Sequence, residues 1–266
     1  MENEMNYQKE LDFILFHMRY AANTFLKCVP LLSEEKGRFD IVTETDFNIE
    51  NYLIMQIKQV FPSDFILSEE FNPLVGLKAR TWTIDPIDGT FNFANSSPLF
   101  GIQCALIENQ KIVMAAIILP KLDEEYYAIA GQGTYLNNNR IYVNKTMIPQ
   151  KALISVGDYQ HRLLEQAKYQ HRMIGHLYEH IARVRMYGAA CIDFSYVASA
   201  KTGGTIILTK NLWDIAPGLL IAEEAGAVIT NIHGKNYTFN DVGVVVSANF
   251  ELSNVIVNAF KRAEIN

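Results

Sequence analysis

The segment Asp85-Pro86-Ile87-Asp88-Gly89-Thr90 ends an apolar run in two carboxylates three positions apart. Pro86 fixes φ and favours a turn, so Asp85 and Asp88 can converge on one point. The Ile87 carbonyl, left without a strand partner, can face the same point. Gly89 permits close backbone approach, and Thr90 can open a helix whose free N–H groups suit a phosphate. Carboxylates and a carbonyl form an all-oxygen donor set, which suits Mg²⁺ or Mn²⁺ and not zinc. Like charges gathered so tightly call for a cation. Taken alone, the same six residues are also sound turn chemistry.

Two further segments repeat the pattern. Ser68-Glu69-Glu70 ends the apolar Phe65-Ile66-Leu67 in paired carboxylates, and Trp213-Asp214-Ile215-Ala216-Pro217-Gly218 opens a helix that later carries Glu223-Glu224-Ala225-Gly226. Separately, the first reads as a solvated turn and Asp214 as an ordinary helix N-cap. Their joint occurrence with DPIDGT points to a shared site.

On these residues the chain resembles the inositol monophosphatase family of Mg²⁺-dependent, lithium-sensitive phosphatases. The likeness runs through Asp40 to Asp46 (DIVTETD), Ser68-Glu69-Glu70, Trp82 to Phe93 (WTIDPIDGTFNF), and Trp213-Asp214 with Glu224-Ala225-Gly226. It implies a layered αβαβα sandwich of α+β and α/β character, a homodimer, and phosphomonoester hydrolysis by direct attack of water with two or three metal ions. By the same resemblance Glu69, Asp85 and the Ile87 carbonyl hold the first metal, and Asp85, Asp88 and Asp214 the second. Thr90 and Glu70 orient and deprotonate the water. Asp46 completes that network and helps hold a third, weaker Mg²⁺.

The substrate side, so inferred, is Asp88, Gly89, Thr90, Arg185, Gly188, Ala189, Asp193 and Asp214. Gly89 and Thr90 offer backbone N–H groups to the phosphate. Arg183 to Asp193 resembles the family's RxxGxAA segment, so Gly188 and Ala189 line the pocket for the alcohol and Arg185 buttresses it, while Asp193 reads equally as a residue bonding substrate hydroxyls and as a surface aspartate on a helix. One departure matters. Inositol-hydrolysing members carry a hydroxyl-binding glutamate seven residues before the metal aspartate, and here that position is Ile207. An apolar residue accepts no hydroxyl hydrogen bond, which leaves the substrate open.

The elements that must position these residues follow from periodicity. Apolar residues at three- and four-residue steps predict a helix over about 4–29, and a second capped by Thr45 or Asp46 and ended by Pro62. Strand signals fall at 65–67, 81–84, 102–107, 112–119 and 126–129, followed by a Gly/Asn-rich loop over 131–139. The remainder alternates: strands at 153–156, 184–187, 205–208, 227–229 and 242–247, and helices at about 160–181, 189–201 and 214–225, with a last one ending near Arg262. This places a domain boundary near residue 150, with 1–150 carrying most metal ligands and 151–266 carrying Asp214 and the substrate pocket. Phe91 and Phe93 read as core residues. His176 and His180 are four apart but lack the HExxH pattern of a zinc helix.

Composition narrows the class. Of 266 residues 49% are hydrophobic, and 23 Lys+Arg against 29 Asp+Glu give a net charge of −6. That balance argues against a dedicated nucleic-acid binder and against disorder. Three scattered cysteines form neither a disulfide framework nor a zinc site. The longest apolar run, Ile112 to Leu119, falls far short of the ~20 residues of a membrane span. The expectation is a cytoplasmic enzyme acting on a small-molecule phosphomonoester, with no nucleic-acid or membrane partner. Relatives acting on fructose 1,6-bisphosphate, adenosine 3′,5′-bisphosphate or NADP remain alternatives, as does a regulatory protein contacting the transcription machinery.

Overall fold

The computed structural model describes residues 6–26, 33–37, 40–74, 76–159 and 164–265, with backbone alone for 33–37, 40 and 265. Parts of the expected first helix (4–5 and 27–29) and the expected helix start at 160–163 lie outside the described residues.

Helix α1 (Gln8–Phe25) precedes a two-stranded antiparallel ribbon, β1 (Ser33–Gly37) and β2 (Asp40–Thr43), and then helix α2 (Glu44–Val60). A seven-stranded sheet follows from β3 (Phe65–Ser68), β4 (Arg80–Asp88), β5 (Gly101–Glu108), β6 (Lys111–Leu119), β7 (Glu124–Ile129), β8 (Thr134–Leu136) and β9 (Asn139–Ile141). The short helix α3 (Thr90–Ala94) links β4 to β5. Strands β3 and β4 are parallel, and every later pairing is antiparallel.

The remaining chain builds a five-stranded mixed sheet in the order β11 (Arg183–Arg185), β10 (Leu153–Val156), β12 (Gly204–Ile207), β14 (Val244–Ser247), β13 (Val228–Asn231). Its helices are α4 (Leu164–Tyr178), α5 (Ala190–Ala198), α6 (Leu212–Glu224) and α7 (Phe250–Ile265).

The continuous apolar runs of β5 and β6 make sense because both faces of their sheet are covered. Alternate residues divide between two cores. Ile102, Cys104, Leu106, Met114 and Ala116 pack with Leu11, Ile14 and Met18 of α1 and Ile49, Leu53 and Ile57 of α2. Ala105, Ile107, Ala115, Ile117 and Leu119 pack the other way, with Phe194 of α5 and Ile215, Leu219 and Ala222 of α6. Helices α4 and α7 close the far side of the second sheet. The layers are therefore αβαβα, as the resemblance implied.

Four local expectations are corrected. Helix α2 is capped by Thr43, whose backbone and side chain pair with Asp46 in a capping box, so Asp46 is the third helical residue and not the cap. The chain does not turn at Pro86: β4 runs on to Asp88 through a β-bulge. Residues 131–139 do not form a plain loop, since Thr134–Leu136 pairs with β7 and continues into β9. Phe93 is buried but Phe91 is 53% exposed, because α3 is one short turn with a single inward face. Among the described residues no helix is long and apolar enough to cross a membrane.

Candidate active site

The bulge in β4 builds the floor of the site. Asp85 pairs with Gln103 and Asp88 with Gly101, so Pro86 and Ile87 together face Ile102 alone. The extra residue breaks the strict alternation of faces and re-aims the aspartates. Proline is tolerated because a bulge interrupts the ladder. Gly89 follows with φ +90°, and a Cβ there would stand 2.9 Å from the Ala189 Cβ and 3.3 Å from the Gly188 carbonyl oxygen. Glycine is required both for the left-handed backbone and for this contact between two motifs far apart in sequence.

Asp85 is 1% exposed, and its Oδ1 has no hydrogen-bond partner. The Gln103 amide reaches its Oδ2 at 3.4 Å and the Asp214 carbonyl at 3.3 Å, tying strand β5 to the start of α6. Burial pushes the Asp85 carboxyl well above the ordinary range, and the charges of Glu69, Asp88 and Asp214 push it further. Asp88 is raised to about 6, burial outweighing the backbone N–H groups of Cys191 and Ala190 that favour its charge. The structure thus sets Glu69, Asp88 and Asp214 within electrostatic reach of Asp85. Among the described residues, no group of three or more His, Cys, Asp or Glu side chains converges closely enough to grip an ion as it stands.

The donors nonetheless suit a hard divalent cation. They are carboxylate oxygens and a carbonyl, and a buried carboxylate oxygen with no partner is costly until something positive or protic reaches it. The Ile87 carbonyl accepts the Thr90 hydroxyl at 2.9 Å, which leaves its second lone pair.

The Thr90 hydroxyl also stands 3.2 Å from Asp46 Oδ1, while Asp46 Oδ2 accepts the Thr43 backbone N–H at 2.9 Å. Asp46 is fully buried, and burial outweighs these hydrogen bonds and raises its pKa. Glu69 and Glu70 lie on the turn after β3, where the Glu70 backbone N–H donates to Glu50 Oε2 at 2.9 Å.

A cavity of ≈ 230 Å³ opens beside the bulge, lined by Asp88, Asp158, Gly188, Ala189, Asp193, Ile207, Thr209 and Asp214 among others. Ile207 therefore faces the cavity from β12. Asp193 is fully buried on α5, and neither of its oxygens finds a hydrogen bond of normal geometry, though Ser155 lies close enough to favour its charge. Arg185 is not brought to the cavity: it is exposed and donates to the Val184 carbonyl at 2.9 Å.

Several contributors escaped the sequence reading. Glu50, Gln103 and Asp158 carry no motif signal. Asn92 joins them: its amide donates to the carbonyls of Leu99 and Tyr187, both at 2.7 Å, latching the first sheet to the pocket segment. Its place inside DGTFNF was the available clue.

Residues 20–264 match the inositol monophosphatase family. The chain belongs to that family. A Thermotoga maritima protein named fructose-1,6-bisphosphatase/inositol-1-monophosphatase is 31% identical over 227 residues, covering 85% of this chain and 83% of its own. The protein named Nus factor SuhB in Vibrio cholerae is 31% identical over 230 residues, 86% of each chain. Among solved structures, the Thermotoga maritima IMPase superposes with a TM-score of 0.87 at 28% identity, covering 97% of this chain and 98% of the other.

Proposed function

We propose that this chain is a Mg²⁺-dependent phosphomonoesterase acting on inositol monophosphate or a related small phosphomonoester, as a cytoplasmic homodimer. The observation that carries the reading is Asp85: buried, with Oδ1 unpartnered, and facing the charges of Glu69, Asp88 and Asp214. Such a cluster is stable as charged groups only around a cation.

In this reading Glu69, Asp85 and the Ile87 carbonyl hold one ion, and Asp85, Asp88 and Asp214 a second. Asp46 would help hold a third. Mg²⁺, or Mn²⁺ in its place, supplies positive charge for the phosphoryl oxygens and the leaving alkoxide. The chain's own groups do the rest. The Thr90 hydroxyl, within hydrogen-bond reach of both the Ile87 carbonyl and Asp46, is held so that an oxygen lone pair can face a water. Glu70 takes the proton of that water as it attacks. The Gly89 and Thr90 backbone N–H groups hold the phosphate, and the Gly188–Ala189 edge leaves room for the alcohol. No side chain is needed as a covalent nucleophile: Cys191 lies near Asp88 but is a buried thiol whose pKa is pushed up by burial.

The test is inorganic phosphate release from a panel of phosphomonoesters, with Mg²⁺ and with a chelator. Release that requires Mg²⁺ supports the reading, and no release from any compound overturns it. The SuhB relatives favour a second reading, a Nus-factor role. An Asp85→Asn variant that is inactive yet retains binding to the transcription machinery would support that one.

A further inference from the structure

Helix α2 presents Asp46 and Glu50 one turn apart, so both carboxylates lie on one face. Asp46 serves Thr90, as described. Glu50 does something separate. It is fully buried, and its two oxygens accept two consecutive backbone N–H groups, that of Glu70 at 2.9 Å and that of Phe71 at 2.7 Å. The same turn is held to α2 by a ring contact, Phe47 against Phe71 at 5.6 Å between centroids. On its other side it is tied to β4 through the Glu69 N–H, which reaches the Ile84 carbonyl at 3.3 Å.

A buried carboxylate is expensive to keep, and the cost is offset when N–H groups converge on it. Here the converging groups belong to the segment that carries Glu69 and Glu70. We propose that Glu50 is a positioning residue: by clamping the backbone of the 69–71 turn, it sets where the Glu69 and Glu70 side chains point. The inference rests on the metal-dependent reading for its consequence and on geometry alone for the clamp. Asp46 and Glu50 together make α2 the bar that aligns both halves of the water-activating group, Thr90 from β4–α3 and Glu70 from the end of β3. Groups that orient metal ligands from outside the ligand shell typically contribute 10–100-fold in metal affinity or activity.

The test uses Glu50→Gln, which keeps the volume and one acceptor oxygen but turns an NH₂ group on one of the two N–H donors, with Glu50→Asp as a shorter carboxylate. Amide hydrogen exchange is followed in the metal-free protein, and Mg²⁺ binding is measured by calorimetry. The expected result for Glu50→Gln is exchange faster by about tenfold or more at residues 69–72, unchanged protection in β5 and β6, and Mg²⁺ bound roughly 10–100-fold more weakly. Glu50→Asp, still able to accept an N–H, should recover part of both. Unchanged exchange at 69–72 overturns the clamp, and altered exchange with unchanged Mg²⁺ affinity overturns its role at the site. A wild-type protein that binds no Mg²⁺ at all would count against the proposed function instead, while the exchange measurement would still decide whether Glu50 holds the turn.

Discussion

The Asp88 carboxylate accepts the backbone N–H of Cys191, so a residue from the bulge of the first sheet caps helix α5 from 103 positions away. No side-chain hydrogen bond from Ala189, the residue at the N-cap, does this work. Asp88 thus has a structural duty that Asp85 lacks. Replacing a helix-capping acid typically costs about 0.5–2 kcal/mol. Asp88→Ala should lower stability by about that much in a urea titration of the metal-free protein, whereas Asp85→Asn, which removes a repelled buried charge, should hold or raise it. Equal losses in both variants would remove the distinction.

Gly218 tests the contact between the two central helices. A Cβ on Gly218 would fall 2.3 Å from the Phe194 ring, and Phe194 is fully buried. Neither side can move without disturbing a core that spans both sheets. Gly218→Ala should destabilise by about 1–3 kcal/mol despite the better helix propensity of alanine. A gain in stability would show that α5 and α6 are packed more loosely than described.

Asp193 should leave a signature in the pH dependence of stability. Its folded-state pKa is raised by burial. The fold therefore binds this proton more tightly than the unfolded chain does, so the contribution is complete in acid and is lost as pH rises from the usual carboxylate range through the folded value. Asp193→Asn stays neutral and keeps it. In chelator, the Tm of the variant relative to wild type should increase as pH rises above the usual carboxylate range. A difference that does not change with pH would mean that Asp193 titrates normally.

In the proposed function, substrate choice turns on Ile207, which faces the cavity at the position where the family resemblance implies a hydroxyl-binding glutamate. An apolar wall discriminates by roughly 10–200-fold, against ~10⁴ for a site built around a hydroxyl. The kcat/KM values for inositol 1-phosphate, glycerol 2-phosphate and a nucleotide 2′-phosphate should lie within about two decades, and Ile207→Glu should shift preference toward the inositol ester. A wild-type preference beyond ~10³-fold would place specificity elsewhere, with buried Asp193 the first residue to vary.

The parts of this molecule that were legible in its sequence are those where chemistry restricts residue type. DPIDGT, SEE and WD stand out because acids at strand ends have few other uses, and the family resemblance follows from them. The bulge at Pro86 was not legible: a proline between two aspartates fits a turn as well as a bulge, and only the pairing of Asp85 with Gln103 and Asp88 with Gly101 separates them. Glu50 was hidden for a different reason. A glutamate in an amphipathic helix reads as solvated face, and its partners are backbone N–H groups, which carry no sequence signal at all. Strands β8 and β9 were masked by the Gly and Asn of their turns. The Glu224 carboxylate, which accepts the N–H groups of Gly131 and Gly133 at 2.7 Å each, steadies that stretch from α6.

The central claim is that the Asp85 cluster exists to hold a divalent cation for phosphoester hydrolysis. Its most direct test is a Mg²⁺ titration of phosphate release by wild type and by Asp85→Asn, with circular dichroism confirming that both are folded. The account predicts saturable activation of the wild type and a loss on the order of 10²-fold or more in the variant at every Mg²⁺ concentration. Release that is independent of Mg²⁺, or a folded Asp85→Asn protein within about tenfold of wild type, would contradict it.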